Sequence, residues 1–188
     1  METPLTNISD EHILKLLEQK QSFEKGFRLL MHKYQEKLYW HIRRIVQEHD
    51  DANDVIQNCF IKVYRNIDRF EKKSKLYTWL YRIATNEAIT FVNRKKKKAT
   101  TSIDDEESTV ALKLEADPYF DGDAAQIQLQ KALNTLPEKQ RLVFNLRYFD
   151  EMSYKEMSDV LDTSVGALKA SYHHAVKKIE QYLKQIEI

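Results

Sequence analysis

The chain has 188 residues, a formal net charge of +1, and only 3 Gly, 3 Pro and 1 Cys. So little glycine and proline excludes turn-rich sandwiches and barrels. The scattered glycines exclude a phosphate-binding glycine loop, and the single cysteine excludes an intramolecular disulfide. The uncharged stretches are at most seven residues long, whereas a membrane helix needs about 20 apolar residues. We therefore expect an all-α, cytoplasmic protein without direct membrane insertion.

Charge is distributed unevenly along the chain. Residues 1–99 contain 20 Lys and Arg against 13 Asp and Glu, residues 100–125 contain 1 against 8, and residues 126–188 contain 9 against 8. The acidic stretch is rich in Ser, Thr and Asp and lacks a sustained hydrophobic period, which is typical of a flexible linker. The sequence thus predicts two small helical domains joined by an acidic linker. This linker either folds back on the basic domain or serves as a passive tether.

The first domain, residues 1–99, has four amphipathic segments with apolar residues at three- and four-residue steps. We expect helices from a Ser9 or Asp10 cap to about residue 20, over residues 22–48, after an Asp50-Asp51 cap, and over residues 76–96. Apolar stripes such as Leu30, Tyr34, Leu38 and Ile45 on the second helix predict that the four pack as a bundle. A basic run follows at residues 94–98.

The second domain, residues 126–188, begins with two predicted helices separated near Pro137. Ser153 and Glu156 then have the spacing of a capping box. The helix that this box opens ends near residue 162, and Ser164 is placed to cap a longer helix. A short helix, a tight turn and a longer helix are the pattern of a helix-turn-helix, although many bundles that never bind DNA share it.

Two groups of motifs resemble one family. DANDVIQNCF at 51–60, DRF at 68–70 and YTWLYRIATN at 77–86 resemble region 2 of bacterial extracytoplasmic-function (ECF) sigma factors, and LPEKQR at 136–141, SYKE at 153–156 and VGALK at 165–169 resemble region 4. The resemblance implies a non-enzymatic, cofactor-free subunit of RNA polymerase that recognises and helps melt a promoter. Its implied partners are core polymerase, through the clamp helices of the largest subunit and the flap of the second-largest, promoter DNA, and an anti-sigma factor.

The resemblance assigns polymerase docking to one acidic and amide edge of the third helix, which consists of Asp51, Asp54, Gln57 and Asn58. Without the resemblance, a capped and solvated helix end would explain the same residues. The family usually has Glu at the positions of Asn53 and Asn58, so we expect a less acidic contact here.

Aromatic and basic residues alternate in the loop at 70–75 and the helix that follows, a combination that suits unpaired nucleic acid. We expect contacts to the promoter −10 element from Lys72, Lys73, Ser74, Lys75, Trp79, Arg82, Asn86 and Asn93. Trp79 also shares the stripe of Leu76 and Leu80, so core packing is an equal alternative for its ring.

The longer helix of the helix-turn-helix should contact the −35 element in the major groove. With Leu168 facing the core, 100° per residue turns four side chains outward and places two on the flanks. The outward set is Ala170, His173, His174 and Lys177, and the flanks are Lys169 and Ser171. The family commonly has Arg at the positions of Ser171 and His174, so we expect a different or weaker −35 preference. The histidines have no metal-ligand spacing.

Two other function classes compete with a sigma factor. A stand-alone helix-turn-helix regulator would bind duplex DNA without polymerase, but it would need a dimer, and no coiled-coil heptads are present. A metal-dependent hydrolase would use His49, Asp50, Asp51 and Asp54, residues that fit a helix start better than a ligand set. We therefore expect no metal and no catalytic residues.

Overall fold

The computed structural model describes residues 8–99 and 124–186, and its regular secondary structure within these ranges is helical throughout. The all-α prediction is therefore confirmed for the described residues. The helices are α1 (Asp10–Leu17), α2 (Phe23–Val46), α3 (His49–Asn66), α4 (Leu76–Ala99), α5 (Ala124–Asn134), α6 (Glu138–Tyr148), α7 (Tyr154–Leu161) and α8 (Val165–Ile186), with a 3-10 turn at Ile67–Arg69. They form two compact units.

The start of α1 is capped as predicted. Ser9 Oγ accepts a hydrogen bond from the His12 amide at 3.2 Å, which satisfies one of the free donors of the first turn. The helix ends at Leu17, three residues earlier than expected, and Ser22 Oγ donates to the Leu16 carbonyl at 2.8 Å. Side-chain capping from the connecting turn thus replaces the last helical turn that periodicity alone predicted.

The junction between α2 and α3 differs from the sequence prediction. Gln47 adopts a left-handed conformation with φ 71° and ends α2 at Val46 rather than at residue 48. α3 then begins at His49, so Asp50 and Asp51 lie in its first turn instead of capping it, where their charges favour the helix dipole. The cap position belongs to Glu48, whose side chain makes no capping hydrogen bond.

The core of the first unit is formed by apolar stripes of α1 to α4. Leu30, Tyr34 and Leu38 are buried as predicted, but Ile45 is only partly buried and Ile42 lies fully inside. After Leu38 the buried residues of α2 continue in four-residue steps to Ile42 and Val46, whereas the prediction placed the next one at Ile45. Cys59 also lies in this core with no exposed surface.

One polar contact lies within this apolar core. His41 of α2 and Thr85 of α4 are both fully buried, and His41 Nε2 is hydrogen-bonded to Thr85 Oγ1 at 2.8 Å. A buried polar pair of this kind is tolerated because the two groups satisfy each other. The contact fixes the register between α2 and α4, the helix that carries four of the eight expected −10 residues.

The second unit contains α5, α6, α8 and the start of α7. Its core joins Leu133 and Leu136 near the end of α5 to Phe144 of α6 and Ile179 of α8. The predicted capping box is present, because the Ser153 amide donates to Glu156 Oε2 at 2.9 Å and the Glu156 amide donates to Ser153 Oγ at 3.3 Å. The unit therefore presents α7 from a fixed starting point.

The turn between α7 and α8 has the predicted length of three residues, 162–164. Asp162 adopts a left-handed conformation with φ 49°, which Asp tolerates better than most residues with a Cβ. Ser164 Oγ accepts from the Ala167 amide at 3.3 Å and caps α8. The predicted helix-turn-helix is thus confirmed in its elements and its caps.

The linker expected at residues 100–125 lies almost wholly outside the described residues, as do the two alternatives for its role. α5 already begins at Ala124, inside the range assigned to the linker. None of the helices within residues 8–99 and 124–186 has the length together with the apolar composition of a membrane span.

Candidate polymerase and promoter interfaces

The expected docking edge lies on one exposed side of α3. Asp54, Gln57 and Asn58 are exposed and Asp51 is half-exposed. Their three- and four-residue spacing places them on neighbouring turns of the same face. The opposite face carries Val55 and Cys59 into the core. This edge therefore lies on a helix that packing holds in place.

Two apolar residues that the sequence prediction missed continue this edge. Ile61 is 42% exposed and Tyr64 is 52% exposed. The Tyr64 ring lies edge-on to Phe23 and Phe27, with ring centroids 5.3 and 5.0 Å away, so it is held in place although it faces solvent. The steps from Gln57 to Ile61 and then to Tyr64 are four and three residues, a spacing that would have indicated a shared face.

The loop at 70–75 presents its lysines to solvent. Lys72, Lys73 and Lys75 are exposed and Ser74 is half-buried. Lys72 has a left-handed backbone with φ 56°, and Lys73 forms an ion pair with Glu71 within the loop. The loop is thus a positively charged projection ahead of α4.

Trp79 occupies an intermediate position between core and surface. Its side chain is half-buried, and its ring lies against Phe70 at the start of the loop, with centroids 5.4 Å apart. Leu76 and Leu80 on the same helix are buried. Both roles considered for Trp79 therefore remain compatible with its position, because one part of the ring packs and another part is accessible.

The polar residues expected on α4 share one stripe. Arg82, Asn86 and Asn93 are all exposed, and at 100° per residue they lie within about 40° of one another. The basic run at 94–98 extends the same helix to Ala99 and is exposed throughout. Lysines in the last turn also interact favourably with the helix dipole.

The predicted outward face of α8 is exposed. Leu168 is buried, whereas Lys169, Ala170, His173, His174 and Lys177 are exposed and Ser171 is half-buried on its flank. The imidazole rings of His173 and His174 have centroids 6.0 Å apart. In the part of the chain that the structure describes, no group of three or more His, Cys, Asp or Glu could hold a metal ion.

Sequence analysis missed a group of cationic and aromatic side chains at the start of α7. Arg147 Nη1 donates to the Met152 carbonyl at 3.0 Å. The Arg147 guanidinium lies 5.4 Å from the Tyr154 ring centroid, and Lys169 Nζ lies 5.8 Å from the same centroid. Arg147 and Lys169 lie on different helices with two turns between them, so sequence spacing alone does not indicate that both approach Tyr154.

The residues considered for a hydrolase are arranged differently from a metal site. His49 Nδ1 is hydrogen-bonded to Tyr39 Oη at 2.7 Å, and His49 Nε2 is hydrogen-bonded to Asn53 Nδ2 at 2.9 Å. Both ring nitrogens are thus engaged with neutral groups. Outside the candidate sites, burial raises the pKa of the Cys59 thiol to about 12 and lowers the pKa of the Arg141 guanidinium.

Comparison with known proteins decides the family. Residues 30–98 match Sigma-70 region 2 and residues 126–179 match Sigma-70, region 4. The chain is 31% identical over 177 residues to the ECF RNA polymerase sigma factor SigW of Bacillus subtilis, covering 89% of this chain and 94% of that protein. It belongs to the ECF RNA polymerase sigma factors. This family is part of the sigma-70 group and is not enzymatic.

A second relative agrees with this assignment, and two solved structures have a similar fold. The ECF RNA polymerase sigma-E factor of Escherichia coli K12 is 33% identical over 172 residues, covering 87% of this chain and 89% of that protein. The fold is similar to that of RpoE from Bartonella quintana, solved with the anti-sigma factor NepR (TM-score 0.72, 23% identity, 85% and 98% of the two chains). It is also similar to CnrH, solved with the cytosolic domain of CnrY (TM-score 0.66, 21% identity, 92% and 95%).

Proposed function

We propose that this ECF sigma factor acts in the cytoplasm and directs core RNA polymerase to promoters through three separate surfaces. A first domain at 1–99 docks on polymerase and opens the −10 element, a second domain at 126–188 reads the −35 element, and residues 100–125 link the two. The exposure of all three expected surfaces in one chain of sigma-factor fold is the observation that supports this proposal.

The docking surface is the edge of Asp51, Asp54, Gln57 and Asn58, and its partner is the clamp helices of the largest polymerase subunit. Acidic and amide side chains supply specificity and a favourable encounter rate. Exposed apolar groups such as Ile61 and Tyr64 supply the buried area that a stable interface needs. The second domain makes a further contact with the flap of the second-largest subunit.

The −10 surface combines the loop at 70–75 with the exposed stripe of α4. Lysines there hold phosphates, while an extruded base enters the space beside the loop. Extruding a base costs a few kcal/mol, and each stacked base recovers about 1–3 kcal/mol. One or two captured bases are therefore enough to hold an opened strand. The ring of Trp79 contributes its accessible part to this surface, together with Arg82, Asn86 and Asn93.

The −35 surface is the exposed face of α8, inserted into the major groove. Lys169 and Lys177 contact phosphates, and Ala170, Ser171, His173 and His174 lie against base edges. Arg147 adds a contact to the DNA phosphate backbone beside Lys169, because the Tyr154 ring holds the Arg147 and Lys169 cations together at the start of α7. A groove face with histidine and serine forms fewer strong guanine contacts than one with arginine, so −35 binding should be weaker or differ in sequence preference.

An anti-sigma factor is the proposed inhibitory partner. One protein of similar fold has been solved with the anti-sigma factor NepR, and another with the cytosolic domain of CnrY. A protein that covers the docking edge of α3 would prevent polymerase binding without altering DNA-binding residues. The test is whether a captured partner competes with core polymerase for the wild-type chain.

Reconstituted transcription tests the proposed function. The purified chain is added to core polymerase and a random promoter library, and new transcripts are sequenced. We expect transcripts only when both proteins are present. A variant combining Asp54→Ala, Gln57→Ala and Asn58→Ala should lose transcription while its free chain binds the selected −35 duplex as the wild type does. If the wild-type chain binds duplex DNA but gives no transcripts with core polymerase, it is a stand-alone regulator instead.

A further inference from the structure

The helix α1 is seated firmly on α2 at both of its ends. At the first turn, Tyr34 Oη donates to the Asp10 carboxylate, with oxygen distances of 2.7 and 2.8 Å. At the last turn, a Cβ on Gly26 would lie 2.9 Å from Leu16 Cβ, so the two helices are in close contact there. Ser22 Oγ also donates to the Leu16 carbonyl. The end of α1 therefore has a fixed position relative to α2.

The residue that follows this end contacts the loop at 70–75. Glu18 Oε1 accepts a hydrogen bond from Lys72 Nζ at 2.5 Å, across 54 positions of sequence. Lys72 has a left-handed backbone with φ 56°, a conformation that is unfavourable for a residue with a Cβ. Such a conformation persists where surrounding contacts hold it. The ion pair with Glu18 is a contact of this kind.

A crevice of about 310 Å³ lies between α1 and the base of the loop. Leu14 and Leu17 line it from α1, Ile67 lines it from the 3-10 turn, and Phe70 lines it from the start of the loop. Glu18 and Lys72 also line it, so their ion pair bridges the space between the two elements. Phe70 connects the crevice to Trp79, the aromatic residue of the proposed −10 surface.

We propose that Glu18 is a positioning residue for promoter opening. It holds Lys72, and through Lys72 the loop at 70–75, in the shape that receives an unpaired base of the −10 element. This inference rests on the proposed function of that loop. The Lys72 ammonium has three donors, so it pairs with Glu18 and still contacts a phosphate. Glu18 itself touches no DNA in this role.

The first experiment measures the loop without DNA. Amide hydrogen exchange over residues 71–75 is compared in the full-length wild type, Glu18→Ala and Glu11→Ala. Glu11 is an exposed acidic residue in the first turn of α1, so Glu11→Ala removes the same charge as Glu18→Ala from the other end of this helix. We expect Glu18→Ala to accelerate exchange about two- to fivefold, the range of an exposed ion pair, and Glu11→Ala to leave it unchanged.

The second experiment measures base capture in the holoenzyme. Fluorescence anisotropy reports binding of a single-stranded −10 oligonucleotide taken from a promoter that the wild-type holoenzyme selects, with the −35 duplex as a second probe. Glu18→Ala should weaken −10 binding about two- to fivefold and leave −35 binding unchanged. In a Lys72→Gly background, Glu18→Ala should have no further effect, because glycine adopts positive φ without support.

The outcomes separate this inference from the proposed function. If Glu18→Ala and Glu11→Ala give the same exchange and the same −10 binding, Glu18 does not position the loop. An effect of Glu18→Ala that persists in the Lys72→Gly background would equally overturn a role through Lys72. If the wild-type holoenzyme selects no promoter, the proposed function fails, while hydrogen exchange still decides whether Glu18 holds the loop.

Discussion

Tyr34 Oη donates a hydrogen bond to Asp10 Oδ1 at 2.7 Å and thereby joins α2 to the first turn of α1. Burial raises the pKa of the Tyr34 phenol above its usual range, and the hydrogen bond to the Asp10 carboxylate raises it further. The folded protein therefore keeps the phenolic proton at a pH where the unfolded chain has lost it. Stability from this group is present below a pH of about 10, the usual tyrosine pKa, and declines above it.

Tyr34→Phe tests this contact through its pH dependence. We expect the substitution to lower the free energy of unfolding by about 1 kcal/mol near neutral pH, because the hydrogen bond is lost. Above about pH 10, the wild type loses about 1.4 kcal/mol per pH unit from Tyr34 and the variant does not. The difference between them in urea unfolding should therefore shrink. Tyr64→Phe, at an exposed ring, is the control, and a difference independent of pH would contradict the assignment.

The two described glycines should respond in opposite directions to alanine. At Gly26 a Cβ would meet Leu16 Cβ at 2.9 Å and the Leu17 backbone nitrogen at 3.0 Å, so Gly26→Ala should destabilise by about 1–3 kcal/mol. At Gly166 no atom lies within 4 Å of the added Cβ, so Gly166→Ala should stabilise by about 0.5–1 kcal/mol through helix propensity. Urea unfolding followed by circular dichroism measures both. Stabilisation by both substitutions would show that α1 and α2 are not in close contact.

Trp79 should contribute to strand capture beyond its packing. Trp79→Ala should weaken binding of the single-stranded −10 oligonucleotide to the holoenzyme by about 1–3 kcal/mol, and Trp79→Phe should weaken it less because a ring remains. Trp40→Ala, at the other tryptophan of the chain, is the control. If Trp79→Ala lowers only the free energy of unfolding and leaves oligonucleotide binding unchanged, the ring serves the core alone.

Lys177 and Lys184 form a matched pair on α8, both exposed. A recognition helix contacts DNA mainly through its N-terminal part, so Lys177 should contact a phosphate and Lys184 should not. Lys177→Ala should reduce the slope of log affinity against log salt by about 0.9 for the −35 duplex. Lys184→Ala should leave that slope unchanged. Equal effects of the two substitutions would mean that α8 binds DNA through general charge attraction rather than in one orientation.

Local sequence rules predicted the elements whose ends depend on neighbouring residues. The Ser153–Glu156 box, the three-residue turn at 162–164 and the Ser9 cap all appear in the structure, because each is a bond between residues a few positions apart. The predicted start of α3 was wrong because the left-handed Gln47 ends α2 early. Glutamine carries no sequence signal for that conformation.

Contacts across long separations were beyond those rules. The pairing of Glu18 with Lys72, the stacking of Arg147 and Lys169 on Tyr154, and the ring contacts of Tyr64 depend on how helices pack. Periodicity identifies which face of a helix is buried, and it correctly turned His173 and Lys177 outward. It does not identify which residue of another helix lies opposite a given side chain.

The basic run at 94–98 lies within α4 and not beyond its end. Successive residues of a helix rotate by about 100° and advance by about 1.5 Å, so these five cations point in different directions around the helix axis. No single strand can follow all of them, and about two or three face any one phosphate path. Lys96 is already ion-paired with Glu138, and we expect the run as a whole, with its charges spread around the helix axis, to attract nucleic acid from several directions.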